Sequence, residues 1–437
     1  MRSPAGTRRW KRNANARVVF DGMRTGVEEG ERASKEARYE EDRISALPDE
    51  VIRHLLGFLP APEAVRTSLL ARGWRHHWKY MRSLRFTVFD GPVVSAQWVN
   101  RFMGRLLQDL HAPLDVCDIY MEHGLCYFVT ELQAYNWVHK AVSGLHARDL
   151  MVGLQRLPER PSFTLVGKPL VSRHLARLDL RYVLLGDSAL DFSSCTALED
   201  LVLYRCVIYA KKIASKSLKR LRFKYCDLFH WPSPTCIISV PNLISLKLEH
   251  LVGQSPVYES VPWLEMAIVR LICDHPYNDY CCDKGACGEC CGLCEGCVGN
   301  YQHSGGCKLL QCLSNATNLE LTVPFAKFTD TMQYPEFPKL KTLFLNEWCV
   351  ASNLHGLIYI LQRSPILEKL TIQLNKTQVL KNTTELEENP YPLLQRSSVS
   401  ENLKLVKVKC IEVDETVSRL SKLFNAFGKQ INIEIGL

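Results

Sequence analysis

The 437-residue chain is 46% hydrophobic and 23% charged, the composition of an ordinary folded protein rather than a disordered or collagen-like one. Its net charge of +8 is modest at this length, so nucleic acid is not expected as a partner. No apolar run reaches the roughly 18 residues of a membrane span, and the start lacks the apolar core of a secretory signal. The expected location is the nucleus and/or cytoplasm, where the 18 cysteines would be reduced thiols or metal ligands rather than disulfides.

Residues 1–41 are polar, with little apolar periodicity, and read as a disordered tail. Arg2, Arg8, Arg9, Lys11, Arg12 and Arg17 make its start basic. A nuclear-import or transit signal would use such residues, but a solvated tail is the simpler reading.

From 42 to 82 the pattern becomes helical. Pro48 suits a helix's first turn, and Asp49 and Glu50 place negative charge at the positive end of its dipole. Ile52, Leu55, Leu56 and Leu59 recur at helical spacing as one apolar face. Pro60 and Pro62 end that element, after which Leu70, Trp74 and Trp78 step by four on a second stripe.

The residue identities go further. Leu47-Pro48-Asp49-Glu50-Val51-Ile52, the Leu59-Pro60 break, Glu63-Ala64-Val65-Arg66-Thr67-Ser68 and the two tryptophans resemble the F-box of plant F-box/leucine-rich-repeat proteins. The resemblance implies three helices that dock on a Skp-type adaptor and through it on a cullin-RING ligase. Leu47, Pro48, Ile52, Leu55, Leu59, Val65, Leu70, Trp74 and Trp78 would touch or shape that interface. The family commonly has Ser-Arg-Arg-Trp-Arg-His-Leu-Trp where this chain has Ala71-Arg72-Gly73-Trp74-Arg75-His76-His77-Trp78. Gly73 in a helix, costing about 1 kcal/mol relative to Ala, and His77 in place of an apolar residue would both weaken adaptor binding.

Helix and strand signals then alternate. Leu84 to Phe89 reads as a strand; Trp98, Phe102, Leu106 and Leu110 form a helical face followed by a strand-like Leu114 to Tyr120. Leu132, Tyr135, Val138, Val142 and Leu145 form another face, followed by Leu150 to Leu154. The pattern next tightens into Leu175-x-x-Leu178-x-Leu180, Leu198-x-x-Leu201-x-Leu203, Leu218-x-x-Leu221-x-Phe223 and Leu243-x-x-Leu246-x-Leu248, 20 to 25 residues apart. That template and period belong to leucine-rich repeats, with Cys206 and Cys226 at the position that serves loop backbone groups. Leu319-x-Leu321, Leu340-x-x-Leu343-x-Leu345, Leu367-x-x-Leu370-x-Ile372 and Leu403-x-x-Val406-x-Val408 continue it, with a polar surface loop expected over 375–402.

A Cys-rich insertion at 273–312 interrupts the series. Cys287, Cys290, Cys291, Cys294 and Cys297 have knuckle spacing, with His275 and His303 as further nitrogen donors. Structural zinc sites usually separate their pairs by a dozen or more residues, whereas these overlap. A bacterial iron-sulfur run would need Cys at position 301, which is Tyr. The favoured reading is a Gly/Cys-rich loop without metal, the flanking strands pairing around it.

At 411–437, Asp414 can cap a helix whose Val417, Leu420, Phe424 and Phe427 share a face, before a last strand of alternating Ile431, Ile433 and Ile435. This end resembles the FBD-like C-terminus of plant F-box/leucine-rich-repeat proteins, a capping unit that a repeat stack needs.

The expected fold is therefore α/β: a three-helix F-box followed by a leucine-rich-repeat solenoid, or horseshoe, over 83–410 and the C-terminal cap. No Walker, His-Glu-x-x-His or Gly-x-Ser-x-Gly motif occurs, so neither catalysis nor a cofactor is expected. The resemblance implies the substrate-recognition subunit of a Skp-cullin-F-box ubiquitin ligase, its repeats binding an unidentified target protein. The alternatives are a metal-dependent regulatory or nucleic-acid-binding protein using the Cys-rich loop and basic tail, or a repeat scaffold with a decayed F-box.

Overall fold

In the computed structural model the described residues are 44, 46–88, 96–122, 129–155, 163–165, 169–186, 190–228, 236–253, 256–270, 308–322, 334–350, 354–374 and 400–436. The tail 1–41, residues 271–307 of the Cys-rich segment and residues 375–399 of the polar stretch fall outside them.

Four helices and three strands open the chain. Helices α1 (Asp49–Leu56) and α2 (Ala61–Arg66) are followed by two 3₁₀ stretches, Thr67–Leu69 and Arg72–Tyr80. Strand β1 (Ser83–Val88), helix α3 (Ala96–Asp109), β2 (Val116–Glu122), α4 (Glu131–His139) and β3 (Asp149–Gln155) complete two helix-strand units. Parallel neighbours need such crossovers, and β1, β2 and β3 pair in parallel. The face expected on α4 is altered. Leu132 is exposed, and Ala134, Trp137 and Val138 are buried, because a π turn at Lys140–Gly144 shifts the register before Val142 and Leu145.

Strands then recur with little helix between them among the described residues: β4 (Phe163–Thr164), β5 (Arg177–Arg181), β6 (Val183–Leu185), β7 (Asp200–Tyr204), β8 (Val207–Ile208), β9 (Lys212–Ala214) and β10 (Arg220–Lys224). They continue as β11 (Asp227–Leu228), β12 (Ile237–Ser239), β13 (Ser245–Glu249), β14 (Val252–Gly253), β15 (Val257–Tyr258) and β16 (Met266–Arg270). The last five are β17 (Asn318–Thr322), β18 (Thr342–Asn346), β19 (Lys369–Leu374), β20 (Leu405–Cys410) and β21 (Ile431–Ile435). Among the described residues they form three sheets. The largest has 13 strands in the open order β1-β2-β3-β5-β7-β10-β13-β16-β17-β18-β19-β20-β21; the others are β14-β11-β8-β6-β4 and β15-β12-β9.

The leucine template explains the register. Leu178, Leu201, Leu221 and Leu246 lie side by side, as do Leu180, Leu203, Phe223 and Leu248, and all are buried. Parallel strands buried as a stack in this way draw their stability from apolar area removed from water, about 25 cal/mol per Å². β16 enters the same rows through Ala267 and Val269, and pairs directly with β17 across the Cys-rich insertion.

Four successive repeats each turn through one left-handed residue. Tyr182, Arg205, Tyr225 and His250 have φ of 59, 49, 55 and 53°. Such backbone costs a non-glycine residue free energy, and each position recovers a hydrogen bond to the next repeat. Tyr182 N–H donates to Tyr204 O (3.0 Å), Arg205 to Lys224 O (2.9 Å), Tyr225 to Glu249 O (2.9 Å) and His250 to Arg270 O (2.8 Å). Cys206 and Cys226 follow directly, their thiols donating to Leu180 O (3.3 Å) and Leu203 O (3.2 Å) of the preceding repeat. Burial pushes the Cys206 thiol well above its ordinary pKa, in keeping with a structural role.

At the far end Asp414 Oδ1 accepts from Val417 N–H (3.0 Å) and starts the helix Glu415–Ala426, which buries Val417, Leu420 and Phe424. β21 adds a thirteenth strand to the large sheet, yet Ile433 and Ile435 are exposed on it, so that strand does not bury its own alternating apolar set.

Candidate functional site

Helix α1 is two-sided. Ile52 and Leu56 face the core, with Leu59 half-buried behind them, whereas Val51, Leu55 and Phe58 stand in water at i, i+4 and i+7. Leu55 therefore does not share the buried face with Ile52. Pro48 caps the helix with φ −59° and ψ 144°, its carbonyl accepting from Val51 (2.9 Å) and Ile52 (3.1 Å), and Arg53 pairs with Asp49 at 3.0 Å. Gly57 closes it where a Cβ would come within 3.1 Å of Ser83 Cβ, so the glycine lets α1 end against β1.

Helix α2 buries Ala61, Ala64 and Val65. The stripe of Leu70, Trp74 and Trp78 does not form. Ala71 is extended (φ −150°, ψ 156°), and the following residues coil as 3₁₀ helix, so Leu70 is separated from the tryptophans and is 75% exposed. Trp74 is only 8% exposed, and Trp78 is half-buried with its indole N–H on Arg75 O (3.1 Å). Of the nine expected interface residues, Pro48, Leu55 and Leu70 are exposed, Leu47, Leu59 and Trp78 are half-buried, and Ile52, Val65 and Trp74 sit in the protein's own core.

Of the two departures in this stretch, His77 has a structural explanation and Gly73 has none. A Cβ at Gly73 would meet nothing within 4 Å, so the glycine serves no close contact. His77 packs edge-on against Trp74, with centroids 6.4 Å apart, and its Nε2 lies 3.9 Å from Asp49 Oδ1. It ties the 3₁₀ stretch to the start of α1, a role an apolar residue would fill only in part.

Sequence reasoning missed Ile44, Val51, Phe58 and Leu69, all exposed, Phe58 by 60% and Leu69 by 69%. For α1 the signal was present: Val51, Leu55 and Phe58 are a second helical stripe beside the one recognised. The module is fastened to the segment between α3 and β2 by His111 N–H on Lys79 O (2.9 Å) and Asp115 N–H on Arg82 O (2.7 Å), and Arg53 over the Tyr80 ring at 5.0 Å ties α1 to the 3₁₀ stretch within it.

The second surface is the face of the 13-stranded sheet turned away from its leucines. One row across it reads Arg85, Asp118, Met151, Asp179, Val202, Arg222, Lys247, Ile268, Glu320, Phe344, Thr371, Lys407 and Asn432. Around the early part of this row the face is ion-paired: Arg85 with Asp118 (3.8 Å), Arg177 with Asp149 (3.8 Å) and Asp200 (3.6 Å) in the neighbouring row, and Arg181 bidentate on Asp179 (3.0 and 2.9 Å). Burial holds the Asp118 and Asp149 carboxyls above the usual carboxylate range, against the opposing pull of Arg85 and Arg177 respectively. Tyr120 lies across Gly153, where a Cβ would come within 2.5 Å of its ring, and its hydroxyl reaches Glu122 (2.9 Å) and Gln155 (3.2 Å).

Among the described residues, no group of three or more His, Cys, Asp or Glu could hold a metal ion, and no helix is long and apolar enough to cross a membrane. Cys287, Cys290, Cys291, Cys294 and Cys297 lie outside those residues.

The F-box domain family matches residues 44–86. A putative F-box/FBD/LRR-repeat protein of Arabidopsis thaliana is 29% identical over 237 residues, covering 47% of this chain and 53% of that protein. The meiotic F-box protein MOF of Oryza sativa subsp. japonica is 28% identical over 76% of this chain and 71% of its own length. An F-box/LRR-repeat protein of Arabidopsis thaliana is 26% identical over 76% of this chain and 70% of its own. The match thus spans about half of the first relative and seven tenths of the other two.

Proposed function

We propose that this chain, an F-box/leucine-rich-repeat protein of the plant type, is the substrate-recognition subunit of a Skp-cullin-F-box ubiquitin ligase. Residues 42–82 would dock on a Skp-type adaptor. The 13-stranded sheet would form a leucine-rich-repeat solenoid over 83–410, capped by 411–437, with its open face holding the target protein.

The observation that carries this reading is the exposure of Val51, Leu55, Phe58, Leu69 and Leu70 within the segment matched by the F-box family. Large side chains left in water this densely are costly for a lone molecule and favourable for one whose partner covers them. Ile52, Val65 and Trp74 would act by setting the angle at which the exposed residues are presented. The chain itself would do no chemistry. Holding a target lysine near a ubiquitin thioester raises its effective concentration, which is enough to accelerate transfer.

The test mixes the full chain with a purified Skp-type adaptor and measures recovery of the complex. Leu69→Asp/Leu70→Asp puts two charges on side chains already in water, so the fold should persist while recovery drops about tenfold or more. Replacing Leu47 and Pro48 with Ala should weaken recovery less. Undiminished recovery of the Leu69→Asp/Leu70→Asp variant, with an unchanged melting curve, would refute the assignment.

A further inference from the structure

We propose that the open face of β10 and β13 receives an acidic segment of the target protein, its carboxylates binding Arg222 and Lys247 and a following large apolar residue resting on Trp263 and Met266. This rests on the reading of the repeats as the target-binding surface.

The charge pattern of the sheet leads there. Arg222 and Lys247 stand directly opposite each other in the parallel register, on strands about 4.8 Å apart. Their other neighbours in the row are Val202 and Ile268, and among the described residues neither cation has a carboxylate partner. Like charges facing across a ladder oppose folding, so the pair costs stability that no carboxylate among the described residues offsets. Lys224, one step along β10, adds a third positive charge, its ammonium 5.6 Å from the Tyr225 ring centroid.

The nearby carboxylates are engaged or displaced. Asp200 is held by Arg177 (3.6 Å) and Arg220 (3.3 Å), and Glu249 by Arg270 (3.0 Å). Glu265 borders the site and, among the described residues, forms no ion pair. A segment bearing adjacent carboxylates would therefore supply the charge the face lacks, and desolvation between Val202 and Ile268 would strengthen the contact.

Shape gives the segment a direction. Arg222, Lys247 and Met266 line an open depression of about 350 Å³, which adjoins another of about 440 Å³ walled by Trp263. The two share Ile244 and Glu265. Trp263 is 66% exposed and Met266 41%, an apolar shelf within reach of the cations. The Glu265 carboxylate on the border repels a second acidic residue there, so the segment would run acidic at Arg222 and apolar at Trp263.

The probe is a fluorescein-labelled peptide with three consecutive aspartates, two glycines and a leucine, followed by polarisation as the full chain is titrated in. Binding should be at least about tenfold tighter than that of the same peptide with asparagines, and should weaken as salt rises. Arg222→Gln/Lys247→Gln should lose about tenfold and Trp263→Ala about threefold. The Gln variant should melt at the same temperature as the parent or higher, since it relieves repulsion. Equal binding of the asparagine peptide, equal binding by the Gln variant, or no binding of the aspartate peptide would each overturn the proposal. Adaptor recovery is measured on the same preparations. If it persists while peptide binding fails, this site is wrong and the ligase reading stands; if the parent chain never recovers adaptor, the ligase reading fails whatever the peptide does.

Discussion

The helices of residues 49–80 and the repeat sheet bury their apolar residues to different degrees. In the sheet, Leu178, Leu201, Leu221 and Leu246 are sealed on both sides by strands of the same chain. In the helices only one side of each element is covered, and Leu55, Phe58, Leu69 and Leu70 are left in water. A stack closes its own core by repetition, whereas a module of two short helices and two 3₁₀ stretches has too little volume to do so. Similar residues thus serve cohesion in one region and recognition in the other.

The strongest test of that contrast is a pair of identical substitutions. Leu221→Ala leaves a cavity between Leu201 and Leu246 and should cost about 2–5 kcal/mol in denaturant unfolding. Leu70→Ala removes an exposed side chain and should change stability by no more than about 0.5 kcal/mol, while reducing adaptor recovery. A comparable loss of stability from both would erase the distinction between cohesive and recognition leucines.

What the sequence revealed follows the same division. Strands carrying the full Leu-x-x-Leu-x-Leu template were legible because a period of two inside a period of 20 to 25 residues is a strong signal. β16 was not, because Ala267 stands where the template wants Leu, and only its neighbours reveal the register. The stripe of Leu70, Trp74 and Trp78 misled because a spacing of four presumes α-helix, and the extended Ala71 is a backbone choice that spacing does not encode. The open-face ion pairs were invisible for a related reason: Arg177 meets Asp149 and Asp200, residues 28 and 23 positions away, only once the strands are in register.

A smaller effect probes whether the open face is itself packed. Gly153→Ala would drive a methyl group into the Tyr120 ring, which two hydroxyl contacts hold in place, and should cost about 1–3 kcal/mol. Tyr120→Ala in the same chain should remove most of that penalty. A double-mutant cycle with no coupling would mean that Tyr120 swings away freely and that this part of the face is as loosely covered as the helices.

The smallest expected effect separates the two kinds of carboxylate on the sheet. Burial raises the Asp118 carboxyl above its unfolded-state pKa, so between those two values the native protein binds more protons than the unfolded chain. Its contribution to stability therefore falls as pH rises through that window and grows as pH is lowered toward the ordinary carboxylate range. The Glu199 and Glu434 carboxyls, lowered chiefly by hydrogen bonds from Lys219 and Lys407, act in the opposite sense. They are common to parent and variant and cancel in a difference. Urea unfolding of parent and Asp118→Asn at several pH values should thus show the parent gaining on the variant as pH drops from neutral. The reverse slope would mean that Arg85, rather than burial, governs Asp118, and that the early part of the row is held together by attraction instead of tolerating a desolvated charge.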